Sequence, residues 1–149
     1  MSNSNHKLEF ASSDGIDYHL DIPLKEERII FNLQNKNKSI IKILTEIKDH
    51  ETLNKFDLDS REFCLSTVSE YTTQSTTFYD ENSKLPNPKY IIFYYQNIDN
   101  KSNDRQFIFN DGQDVIPIEG TVIFFNSKEN IKVNDIKDGF TTITIIKFF

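Results

Sequence analysis

Between residues 89 and 149 the chain alternates short, almost wholly apolar blocks with polar turns, and no histidine falls anywhere in that stretch. The blocks read KYIIFYYQ at 89–96, DVIPIEGTVIFF at 114–125 and FTTITIIKFF at 140–149. Each is too short for a buried helix and rich in β-branched and aromatic residues, so the pattern specifies strands covered on both faces. Such strands must pack into a sandwich or close into a barrel, and this excludes a helical or doubly wound α/β fold.

Upstream, the same alternation appears in KLEF at 7–10 and IDYHLDI at 16–22, with Asp14 and Gly15 between them as a hairpin turn. The block RIIFNL at 28–33 reads as a further strand. One helix is predicted over 38–48, where Ile40, Ile41, Ile43, Leu44 and Ile47 recur at helical spacing and Leu53 and Phe56 extend the pattern after a break near Asp49. Strand-like content returns in FCLSTVSEY at 63–71, with residues 72–80 as its hairpin partner. The segment ENSKLPNP at 81–88 carries two prolines that cannot donate to a sheet and reads as a surface loop. The expectation is a disordered tail at 1–6 and a single, mainly β domain over 7–149: a jelly roll with one packing helix.

Composition narrows the partners. A chain of 149 residues with 37% hydrophobic and 13% aromatic content can bury one sizeable core. Seventeen basic against twenty-three acidic residues give a net charge of −6, with lysines scattered among acids rather than gathered on a stripe, so nucleic acid is not an expected partner. Cys64 is the one cysteine and cannot form an intrachain disulfide, and the opening residues are polar; both fit a cytoplasmic setting. No apolar run approaches the roughly 20 residues that cross a bilayer, so a membrane partner is not expected either.

From Phe63 onward the order of blocks resembles the double-stranded β-helix of the iron(II)/2-oxoglutarate-dependent oxygenases, the prolyl-hydroxylase-like branch in particular. The resemblance is carried by IIFYYQN at 91–97, VIPIEGTVIFF at 115–125, and Val133, Ile136 and Gly139 followed by a Thr/Ile strand ending in Phe148 and Phe149. It implies an iron held by a His-x-Asp pair and a second histidine, with a basic residue that meets the cosubstrate's distal carboxylate. Carried over by position, the first histidine falls at Phe78, its acid at Asp80, the second histidine near Ile131 and the basic residue at Thr141. Only Asp80 keeps the required chemistry, since Phe and Ile offer no lone pair to a metal. What the resemblance then implies is the family's scaffold without its iron ligands, a pseudoenzyme.

Other constellations compete with that reading. His19 and Asp21 form a His-x-Asp of their own on one face of a predicted strand, with His50 as a third ligand if the chain brings it there. Cys64, between Phe63 and Leu65, reads as a buried small hydrophobe without a histidine to activate it. The aromatics at 90–95 supply core, and Tyr79 and Tyr94 (or Tyr95) with Asp80 and Thr141 mark the remnant pocket. The function expected is therefore a non-catalytic binding or protein-interaction module, without a cofactor, for a protein or small-molecule ligand. Two alternatives stay open: a divergent oxygenase or cupin-like enzyme using His19 and Asp21 with Fe(II) and 2-oxoglutarate, and a lectin-like or structural jelly roll. A homodimer through an exposed edge strand is compatible with all three.

Overall fold

The computed structural model describes residues 7–9, 27–34, 38–69, 71–98, 105–135 and 141–149. The expected tail at 1–6, the Asp14–Gly15 turn with its second strand, the His19/Asp21 pair and the Asp138–Gly139 turn lie outside the described residues. Nine strands are described: β1 (Lys7–Glu9), β2 (Ile29–Asn32), β3 (Phe63–Ser69), β4 (Tyr90–Ile98), β5 (Gln106–Phe109), β6 (Asp114–Ile116), β7 (Thr121–Asn126), β8 (Ile131–Asn134) and β9 (Thr141–Phe148). They form a five-stranded sheet in the order β2-β7-β4-β9-β3 and a four-stranded sheet in the order β1-β6-β5-β8. The pairings are antiparallel except that of β1 with β6. This is the expected jelly roll.

Strand β4 shows why its sequence has no polar face. Ile91, Phe93 and Tyr95 point between the two sheets, into a core shared with Phe107, Phe109, Val115, Phe125, Ile131 and Val133. Tyr90, Ile92 and Tyr94 point the other way, into a second core beneath the helix. Both faces are dry, so period-2 alternation of polarity disappears and a continuous apolar run results. A register shift between Tyr95 and Asn97 ends this regularity.

Helix α1 (Ile40–Asp49) covers the second core. Ser39 caps its start, with Oγ accepting from the Lys42 N–H at 3.4 Å, and Ile43, Leu44 and Ile47 form its buried stripe. Ile41, placed by sequence on the same dry face, is 74% exposed. At residue 50 the backbone turns extended, and His50 then caps a short 3-10 helix, Glu51–Phe56, that buries Leu53 and Phe56. No helix among the described residues is long and apolar enough to cross a membrane.

Two sequence expectations need correction. Residues 72–80 do not return as a hairpin partner of β3. They cross to the other sheet, where the Thr73 N–H donates to Val133 O and Thr76 exchanges backbone hydrogen bonds with Ile131. There the Thr73 and Thr76 backbones find their hydrogen-bond partners on β8, while β3 pairs with β9 over seven residues. Cys64 is exposed rather than buried, because β3 is the outermost described strand of its sheet and Phe63 (41%) and Leu65 (37%) are open with it.

At one end of the roll, Arg28 ties the sheets together. Its side chain is fully buried; it meets Glu129 through Nε and Nη2 and Asp111 through Nη1, at 2.8–3.1 Å. Nη1 also donates to Gln113 Oε1 at 2.8 Å, and the guanidinium lies 3.8 Å from the centroid of the Phe109 ring. At the bend before β7, Gly120 has φ +97°, and its N–H donates to Tyr95 O while its own carbonyl accepts from Leu33.

Candidate functional site

The bridge between Thr76 and Ile131 brings the positions carried over for the two histidines onto neighbouring chain segments. Phe78, two residues past the bridge, sets its ring edge-on to Phe93 at 5.9 Å and tilted to Phe125 at 6.2 Å. Phe93, Phe107 and Phe125 in turn stand 5.3–5.8 Å apart, and Ile131 is 1% exposed in the same core. Interlocked aromatic rings at these separations are close-packed hydrocarbon.

Asp80 is exposed and turned into its own loop. Its Oδ1 accepts from the Asn82 N–H at 3.0 Å, while Asn87 brackets its backbone, accepting from the N–H and donating to the carbonyl. This is an Asx turn, with the acid holding loop geometry. Tyr79 lies beside it, half-buried, with Lys128 Nζ 4.9 Å from its ring centroid.

The four residues expected to form a remnant pocket are not brought together. Tyr79 and Asp80 lie by the β7–β8 turn, where Thr77 Oγ1 donates to Ser127 O and Ser127 bonds to Lys89 at the start of β4. Thr141 pairs with Ile98 at the other end of β4. Tyr94 faces α1 rather than the interior; burial first, then the charges of Glu119 and Glu46, raise its hydroxyl above the ordinary tyrosine range. Its neighbour Tyr95 is the one that faces inward.

What surrounds Thr141 is a polar cluster that no single stretch of sequence announces. Arg105 Nε donates to Thr141 Oγ1 at 2.7 Å and to Asp135 Oδ1 at 3.0 Å, and the Arg105 and Asp135 side chains are 2% and 1% exposed. A cation therefore reaches the Thr141 side chain from the foot of β5, although residue 141 itself is not basic. Thr72 Oγ1 donates to Asp135 O at 3.2 Å and so anchors the acid's backbone. Asp135 Oδ2 is buried without a hydrogen-bond partner among the described residues, an arrangement that costs about 1–3 kcal/mol. Burial and the nearby Asp135 charge push the Tyr95 hydroxyl far above the tyrosine range, with Arg105 partly opposing. Sequence reading missed the pair because its members belong to different blocks. No local signal announces them: Arg105 directly precedes β5, Asp135 directly follows β8, and the pairing of Gln106 with Asn134 brings them together.

The remaining candidates have structural partners. The His50 ring stacks on Phe31 at 3.8 Å, and its Nδ1 is 2.7 Å from Thr52 Oγ1, so that nitrogen is engaged at the helix junction. Among the described residues no group of three or more His, Cys, Asp or Glu side chains is arranged to hold a metal ion.

No protein-family model matches the chain. No curated protein sequence matches it either. Solved structures do. The viral collagen prolyl hydroxylase of Paramecium bursaria Chlorella virus-1, in a truncated form, superposes with a TM-score of 0.57 at 16% identity, covering 84% of this chain and 75% of that one. Its 2OG complex superposes at 0.53 and 15%, covering 85% and 81%. An oxidoreductase of the 2OG-Fe(II) oxygenase family from Burkholderia pseudomallei aligns at 0.45 and 10%, covering 83% and 68%. With two sheets in jelly-roll order and more than four-fifths of this chain superposed on the prolyl hydroxylase, the chain has the double-stranded β-helix fold of the 2-oxoglutarate oxygenases.

Proposed function

We propose that this chain is a non-catalytic binding or protein-interaction module built on the 2-oxoglutarate oxygenase scaffold. The observation that supports this reading is the packing of Phe78 and Ile131 into the aromatic core, at the two positions where the resemblance carries iron-binding histidines. These residues do not fit the metal: neither has a lone pair to donate, and the third position, Asp80, spends its Oδ1 on the Asn82 backbone. A single solvated carboxylate is a poor iron site. The chemistry left to such a scaffold is recognition, through its surface, its loops and its edge strands.

The test is a thermal shift of the purified protein with Mn(II), as a redox-inert surrogate for Fe(II), in the presence and absence of 2-oxoglutarate. The expected result is no saturable stabilisation by the metal, alone or with the cosubstrate. A saturable metal-dependent rise in Tm that disappears in His19→Ala would overturn the proposal and restore the divergent-enzyme reading.

A further inference from the structure

The Arg105–Asp135 pair lies at the far end of the roll from Tyr79 and Asp80, and the binding-module reading does not use it. A guanidinium sealed inside an apolar roll needs an anion within hydrogen-bond reach, and the chain supplies one from the end of β8. The two are joined in a way that resembles a bound ligand more than an optimised pair. Contact runs from Nε to one carboxylate oxygen at 3.0 Å, not through the two-pronged fork that Arg and carboxylate form when geometry is free. The other oxygen, Oδ2, is buried and has no hydrogen-bond partner among the described residues. Thr141 Oγ1, 2.7 Å from the same Nε, completes a polar floor to the position that the carboxylate occupies. Replacing such a buried pair with hydrocarbon of equal volume is often neutral or stabilising, so stability alone does not call for it.

We infer that Arg105 and Thr141 form a carboxylate receptor whose resident ligand is the chain's own Asp135. The receptor is self-occupied, so the wild-type protein is closed there to free small carboxylates. Removing the Asp135 carboxylate opens a site for one of the same size. Formate is the matching probe, because it restores one negative charge and two oxygens in the volume that Asp135→Ala vacates.

The experiment compares Tm for wild type, Asp135→Ala, and Asp135→Ala combined with Arg105→Met, each titrated with sodium formate and, at equal ionic strength, sodium chloride. The expected result is a Tm loss in Asp135→Ala that formate reverses saturably and chloride does not, with no formate response in the wild type or the double variant. Because Asp135→Ala can fail to fold, Asp135→Ser, which keeps a small polar group, is carried through the same titrations. Equal responses to formate and chloride, or none to either, in both single variants overturn the inference. So does a saturable response of the wild type to formate or to metal-free 2-oxoglutarate. A wild-type response that requires metal instead counts against the non-catalytic reading, so the two failures are distinguishable.

Discussion

Replacing Arg28 by methionine isolates the contribution of one buried cation to holding the sheets together. The substitution keeps a long apolar stem and deletes the guanidinium, removing hydrogen bonds to Glu129, Asp111 and Gln113 and the face-on contact with Phe109. The two carboxylates are then affected unequally. The Asp111 side chain is 43% exposed and regains water, whereas that of Glu129 is only 13% exposed and keeps its charge in a dry setting. Breaking a buried pair in this way costs about 3–5 kcal/mol; the lost cation–π contact, worth up to ~2 kcal/mol when desolvated, overlaps with that figure rather than adding to it. For a chain of this size the loss corresponds to roughly 10 °C in Tm. Equilibrium urea unfolding of the wild type, Arg28→Met, Glu129→Gln and Asp111→Asn reads the order directly. Arg28→Met should be the most destabilised, Glu129→Gln next, and Asp111→Asn within about 1 kcal/mol of wild type, as half-exposed pairs are. A cost under about 1 kcal/mol for Arg28→Met, or a larger one for Asp111→Asn than for Glu129→Gln, would refute the argument that burial sets the magnitude.

Two further outcomes follow from other parts of the fold. A Cβ added at Gly120 would stand 2.2 Å from the Leu33 carbonyl oxygen at a positive φ, so Gly120→Ala should cost about 2–4 kcal/mol in chemical denaturation, and a neutral result would contradict the backbone path described for the β7 entry. Tyr95 is held protonated in the native state by burial and by Asp135. Its folded pKa is raised above the unfolded value, so its contribution to stability is complete below about pH 10 and is lost as pH rises beyond it. Stability measured from pH 8 to 11 should fall less steeply in Tyr95→Phe than in wild type. An unchanged slope would assign the alkaline loss to other groups, such as Tyr71 and Tyr94, whose hydroxyls are raised in the same direction.

Much of this architecture is legible in the residues because burial on both faces leaves an unmistakable mark. Tyr90 to Tyr95 and Val122 to Phe125 contain no polar side chain but the tyrosine hydroxyls, and they became β4 and β7 at the centre of the larger sheet. The spacing of Ile43, Leu44 and Ile47 likewise located the helix. Edge positions were harder to read. FCLSTVS carries as much apolar content as a half-buried strand, and nothing local in it says that its outer side meets no strand among the described residues. The segment at 72–76 failed for a related reason: its partner is more than fifty residues downstream, and Thr-rich sequence suits either sheet. The candidate site was legible only in part. Phe78 and Ile131 could be assigned to the core from their chemistry, but the face taken by Tyr94 depended on where the β4 alternation starts, a one-residue matter that inverts every side chain. Arg105 and Asp135 become partners only once the β5–β8 register exists.

The placement of β9 also governs how the chain can fold. It lies between β4 and β3, pairing with both over most of its length, yet it follows them in sequence by several other strands. Until residues 141–148 arrive, β3 has no strand partner among those described and the larger sheet exists only as β2, β7 and β4. Closing that gap requires loops of many tens of residues to be ordered before the contacts that reward them form, which puts the chain among slow, high-contact-order folders. During that interval the uncharged FCLSTVS strand is open along both edges, and this is the species from which aggregation during refolding should start.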